Sequence, residues 1–90
     1  MTSETLGGNR KVLLQQWECV VLDREEDVVC CELHDLTDES MPSEYAEIFV
    51  QQFNACDIPL LEEGAVFYWS LGHVQRPKGQ IVNFSEFRMR

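Results

Sequence analysis

The chain reads as all-β: a small antiparallel barrel of five to six strands, with a short helix at about 43–53 as the one helical alternative. Three observations predict this class. The apolar residues recur mainly with period two in runs of about ten, the runs are rich in β-branched and aromatic side chains, and short polar connections separate them. With 90 residues, one domain and one core are the ceiling, because a chain this short buries only roughly 60–65% of its unfolded surface. An open sheet of that size leaves apolar edges exposed, which is the argument for closure into a barrel.

Residues 1–10, MTSETLGGNR, have no periodicity and two adjacent glycines, and are expected to form a flexible N-terminal tail. The domain is expected over 11–90. KVLLQQWECVVLDREEDVVCCELHDL holds two β-rich runs around the acidic segment Asp23 to Asp27, a hairpin signal. Pairing Asp23 with Asp27 sets Val21 against Val29, Cys19 against Cys31 and Trp17 against Leu33, six apolar side chains on one face. TDESMPSE, with Pro42, is a connection. EYAEIFVQQF supports two readings. As a helix it groups Tyr45, Ala46, Phe49, Val50 and Phe53. As a strand, which its flanks favour, it divides Tyr45, Phe49 and Phe53 from Ala46, Ile48 and Val50.

EEGAVFYWSLGH then sets Phe67, Tyr68 and Trp69 side by side between two glycines. Glu62, Glu63 and Gly64 suit a turn and residues 65–73 a strand, on which neighbouring side chains point to opposite faces. Phe67, Trp69 and Leu71 are therefore expected in the core with Trp17, Cys19, Val21, Val29, Cys31 and Leu33. Tyr68, with Val66 and Ser70, is expected to face outward or to rim a partner site. HVQRPKGQ is a basic loop. QIVNFSEFRMR is a last strand, with Ile81, Phe87 and Met89 on one side and Val82 and Phe84 on the other; residues 64–73 and 80–89 are spaced to pair. The lead-in DIPLLEEGAVFYW resembles the turn-to-strand transitions of small OB, SH3-like and translation-factor barrels. That likeness is architectural, covers about a dozen residues and carries no functional residues with it.

Net charge is −9, and its distribution is uneven. Residues 12–63 hold fourteen Asp and Glu against one basic residue, Arg24, a net −13, while residues 1–11 come to +1 and residues 64–90 to +3. Such a middle repels nucleic acid and anionic membranes, so neither is an expected partner. Basic proteins, or a second copy of the chain, are. The four cysteines come without an apolar leader at the N-terminus, so reduced thiols and a cytoplasmic location are expected, and no apolar run approaches the roughly 20 residues of a membrane span.

No constellation carries catalytic or metal chemistry, and no enzyme activity, metal or cofactor is expected. Cys30, Cys31 and His34 lie close in sequence, with Cys19 across the hairpin, but adjacent strand cysteines point to opposite faces and cannot both reach one zinc ion. Cys19 and Cys31 could close a disulfide if oxidised. His34 beside Asp35, and His73, match no nucleophile elbow or metalloprotease motif. Asp35, Asp38 and Glu39 lack the alternation and central glycine of a calcium loop. Arg76, Lys78, Arg88 and Arg90 form a small basic edge that the acidic middle opposes as a nucleic-acid site, and no aromatic loop set marks a proline-peptide groove.

Two functional expectations survive. In the first, the chain is a small acidic interaction module or accessory subunit of a larger, bacterial-type complex, binding through Tyr68, Val66 and Ser70 with charges at Glu25, Glu26, Asp35, Asp38, Arg76 and Lys78. In the second, it is an acidic inhibitor whose carboxylates, chiefly in DREED and DLTDES, imitate the phosphates of a nucleic acid.

Overall fold

The computed structural model describes residues 9–90; the tail expected over 1–10 lies almost wholly outside them. Five strands form one antiparallel sheet: β1 (Arg10–Arg24), β2 (Val28–Asp35), β3 (Glu44–Phe49), β4 (Val66–Gln75) and β5 (Ile81–Met89), in the order β3-β2-β1-β4-β5. The only helical elements among the described residues are two single 3-10 turns, Val50–Gln52 and Ile58–Leu60. The sheet does not close. β3 and β5 lie at opposite edges, and residues 50–65 run across one face of the sheet, so the expected barrel is an open sheet with a cover on one side.

Covering one face solves the burial problem that closure was expected to solve. From the β3 edge, Phe53, Ile58 and Leu61 reach down onto Cys19, Val21, Val29, Cys31, Leu33, Ile48 and Phe67, which with Phe53 and Leu61 make up the buried core. Leu61, Cys19, Val29 and Phe67 are fully buried. The cover is pinned by backbone bonds at both ends, Val50 N–H to the Asp27 carbonyl and a reciprocal pair linking Val21 to Gly64 and Ala65. Between them the Arg24 guanidinium donates to the carbonyls of Ile58 (2.7 Å) and Leu61 (3.3 Å), capping the second 3-10 turn.

The expected six-residue apolar face of the β1–β2 hairpin forms, at a register displaced by two. Cys19 lies opposite Leu33, Val21 opposite Cys31 and Trp17 opposite Asp35. A shift of two keeps every side chain on its own face, which is why the face survives the error. Leu22 is the extra residue of a bulge between Val21 and Asp23, and the turn closes through Glu25 N–H to the Val28 carbonyl. A second bulge at Leu14 interrupts the β1–β4 register. It reverses the faces of the strand's first residues, so that Leu13 joins Gly72 and Phe84 rather than Trp17.

Residues 44–49 are strand, and the helical reading of 43–53 is corrected: Ala46 and Ile48 face inward opposite Cys31 and Val29, while Tyr45 and Phe49 are exposed. The 3-10 turn that follows changes the phase, which is how Phe53 reaches the core although it shares strand parity with Tyr45. Gly64 (φ 88°) and Gly79 (φ 84°) occupy the left-handed conformation that their turns require.

On the core face Trp17, Trp69 and Phe87 lie directly opposite one another on β1, β4 and β5. Their centroids are 4.8 Å (Trp17 to Trp69) and 5.4 Å (Trp69 to Phe87) apart, and Phe53 packs on Phe87 at 4.4 Å. Trp69 Nε1 donates to Ser85 Oγ at 2.9 Å. Phe67 lies fully inside, whereas Trp17, Trp69 and Leu71, also expected there, are half-buried because the cover stops short of them.

Candidate interaction face

Residues 50–65 cover one face, and among the described residues no segment crosses the other along β1, β2 and β4. Strand alternation sends Glu18, Tyr68 and Arg88 to this open face, and the register sets them opposite one another on β1, β4 and β5, with His34 continuing the row on β2. Tyr68 is the centre of the row. Arg88 and Arg90 each hold a guanidinium carbon 5.8 Å from its ring centroid, a cation–π arrangement. Arg90 Nε donates to the Tyr68 hydroxyl at 3.3 Å and Arg90 Nη2 to Glu18 Oε2 at 2.7 Å. The Tyr68 hydroxyl, together with the charge of Glu18, holds the Arg90 pKa above its ordinary value.

Towards β3 the face turns acidic. Glu32 lies beside Tyr45 and 3.8 Å from His34, and Glu47 lies beside Cys30. Tyr45 is 70% exposed, so two tyrosines stand on this face, Tyr68 among arginines and Tyr45 among carboxylates. The apolar ground between them is Val20 opposite Val66.

The site residues expected from sequence do not converge. Tyr68 and Val66 stand on the open face, half-buried. Ser70 points to the same face but is buried and accepts from Gln16 Nε2 at 3.1 Å, so it rims no partner site. Glu25 and Glu26 lie in the β1–β2 turn, whereas Arg76 and Lys78 lie in the β4–β5 turn beside the start of β1, where Arg10 pairs with Gln75. β1 separates these turns by its full fifteen residues, the long axis of a molecule measuring 45 × 33 × 19 Å. The chain thus has an acidic end and a basic end. Asp35 and Asp38 sit near the middle of that axis, at the end of β2. Asp35 Oδ1 accepts from the Thr37 hydroxyl (2.7 Å) and from the amides of Thr37 (2.8 Å) and Asp38 (2.9 Å). The Thr37 hydroxyl is the largest cause of its depressed pKa of about 2, and the carboxylate is occupied in closing its own turn.

Glu18, Arg88 and Arg90 were missing from the expected partner-binding set. The alternation FRMR does put Arg88 and Arg90 on one face, but only the β4–β5 register brings them to Tyr68. Cys30 and Cys31 point to opposite faces, Cys31 into the core. Burial raises Cys31 to about 11 and Cys19 to about 12, each thiolate also disfavoured by a neighbouring cysteine. All four cysteines are free. With the observed register Cys19 and Cys31 are diagonal neighbours rather than a facing pair, which removes the geometric case for a disulfide between them. Among the described residues no group of three His, Cys, Asp or Glu side chains gathers in a ligating arrangement, and no helix is long and apolar enough to cross a membrane.

No family model, curated protein or solved structure matches this chain. Its own geometry is therefore what bears on function.

Proposed function

We propose that the chain is a protein–protein interaction module or accessory subunit of a larger assembly, without catalytic activity of its own. Its partner presents a basic surface to the acidic part of the open face around Tyr45, and Tyr68 between Arg88 and Arg90 is the second anchor. The observation that carries this reading is the one-sided core. The cover buries one face of the sheet and leaves the other with two tyrosines, paired charges and a strip of valine, a mixture typical of interface patches. The carboxylates of Glu32 and Glu47 around Tyr45 would steer a basic partner and set its orientation.

The nucleic-acid-mimic reading draws less support. It needs unpaired carboxylates along one exposed face, whereas DREED is confined to the β1–β2 turn at one end of the sheet and the Asp35 and Asp38 carboxylates close their own turns.

The test compares two neighbouring residues. Tyr68→Ala is expected to abolish retention of the partner in a nuclease-treated, high-salt pull-down while lowering the thermal stability of the chain much less than Trp69→Ala does, since it removes only the surface contacts with Arg88 and Arg90. Trp69→Ala, which opens the Trp17–Trp69–Phe87 row, is expected to destabilise the fold by about 3 kcal/mol, the low end for a large aromatic because Trp69 is half-buried. Equal loss of folding in both variants would sink the assignment of faces, and retained binding by Tyr68→Ala would sink the assignment of the anchor.

A further inference from the structure

We propose that β5 is the seam of a symmetric dimer, in which it pairs antiparallel with β5 of a second copy about a two-fold axis at Phe87, joining two five-stranded sheets into one of ten strands. The inference concerns the sheet edge and does not depend on the partner proposed for the open face.

The first argument is that, among the described residues, no strand pairs with the outer side of this edge. β5 is nine residues long, pairs with β4 without a register shift, and contains no proline. It therefore presents a straight row of unpaired backbone groups on its outer side, the template that strand addition uses. The other edges lack this character. β3 has six residues and both of its charges, Glu44 and Glu47, are acidic; the stretch of β1 that extends beyond the end of β2 carries Arg10 and Lys11, both basic. Two copies of either edge would bring like charges together.

The second argument is register. β5 holds both signs two residues apart, Glu86 and Arg88, on the same face. A two-fold axis at Glu86 or at Arg88 sets like charges directly opposite one another, and an axis at Ser85 sets each charge against an apolar residue, Phe84 or Val82. An axis at Phe87 sets Glu86 of each chain opposite Arg88 of the other, twice over, the favourable cross-strand arrangement. The same axis places Phe87 opposite Phe87 of the second copy on the core face. The row Trp17–Trp69–Phe87 then runs on through the seam into its symmetric counterpart. Such an isologous interface closes on itself, whereas joining β5 to β3 of another copy would propagate into a fibre.

Sedimentation equilibrium of the full chain, run up to high micromolar concentration, tests the proposal. A species of two 10.5 kDa chains is expected. Glu86→Arg and Arg88→Glu, each setting like charges opposite one another at two symmetric places, are expected to weaken dimerisation by roughly a hundredfold or more. The exchanged double variant E86R/R88E restores it. Lys11→Ala, which removes the partner of Glu86 within the chain at 3.2 Å, leaves the dimer in place, separating the seam from that internal pair. Four results overturn the proposal: a monomer at every concentration, a species larger than two chains, a dimer indifferent to both single reversals, or failure of the folded double variant to recover.

Discussion

Arg24 is the single basic residue between positions 12 and 63, which invites the view that it relieves repulsion among the acids around it. The structure assigns it a different task. Its Nη1 donates to the Ile58 and Leu61 carbonyls at 2.7 and 3.3 Å, tying the cover to the sheet next to the fully buried Leu61. Arg24→Met keeps the aliphatic stem and removes the donors. A hydrogen bond involving a charged group contributes about 1.5–3 kcal/mol, and here one bond is short and the other long, so a loss of about 2 kcal/mol is expected. For a domain of this size that lowers the melting temperature by about 8–16 °C. Urea unfolding measures the loss, and hydrogen exchange locates it: the amides of Gly64 and Ala65, bonded to the Val21 and Glu62 carbonyls, should lose protection before those of the central strands. Salt separates the two explanations. At roughly 0.5 M, where the screening length is about 4 Å, repulsion among exposed acids is largely suppressed, yet the lost bonds to carbonyls remain lost. A variant restored to wild-type stability by salt, or one destabilised by less than about 0.5 kcal/mol, would refute the capping role.

Further outcomes follow from the same packing. Gly72→Ala is expected to destabilise the fold by about 1–3 kcal/mol, the usual range for overpacking. A β-carbon there would strike the Val12 carbonyl oxygen and come within 2.7 Å of the Phe84 ring, and Phe84→Ala in the same chain should relieve only the second clash, as chemical unfolding of both variants would reveal. Asp35 has a depressed folded-state pKa of about 2 against an ordinary 3.8. Its stabilisation is therefore present above the unfolded value and lost as pH falls through about 4 towards 2. The stability gap between wild type and Asp35→Asn should close over that window, and a gap unchanged at the acid end would contradict the turn assigned to it. Finally, Cys56 is exposed whereas Cys19 and Cys31 are buried with raised pKa values. At neutral pH a thiol reagent should label Cys56 in the native chain and reach Cys19 and Cys31 only on unfolding; rapid native labelling of either would show the cover to be open.

Local pattern determined much of this protein. Alternation alone separates Phe67 and Trp69 from Tyr68, and it collects Trp17, Cys19, Val21, Val29, Cys31 and Leu33 on one face, because side-chain direction along a strand has period two whatever the strand pairs with. For the same reason the hairpin face was legible although its register was displaced by two. What stayed hidden depends on contacts between distant segments. Whether a sheet closes or is covered depends on where residues 50–65 lie, and that rests on Phe53, Leu61 and the Arg24 bonds, none of which carries a local signature. Burial of Ser70 beneath Gln16 and the approach of Glu18 to Tyr68 and Arg90 follow from pairing across fifty residues or more, and the approach of Arg88 and Arg90 to Tyr68 from pairing across about twenty. Strand periodicity says which way a side chain points; only the tertiary register says what it meets there.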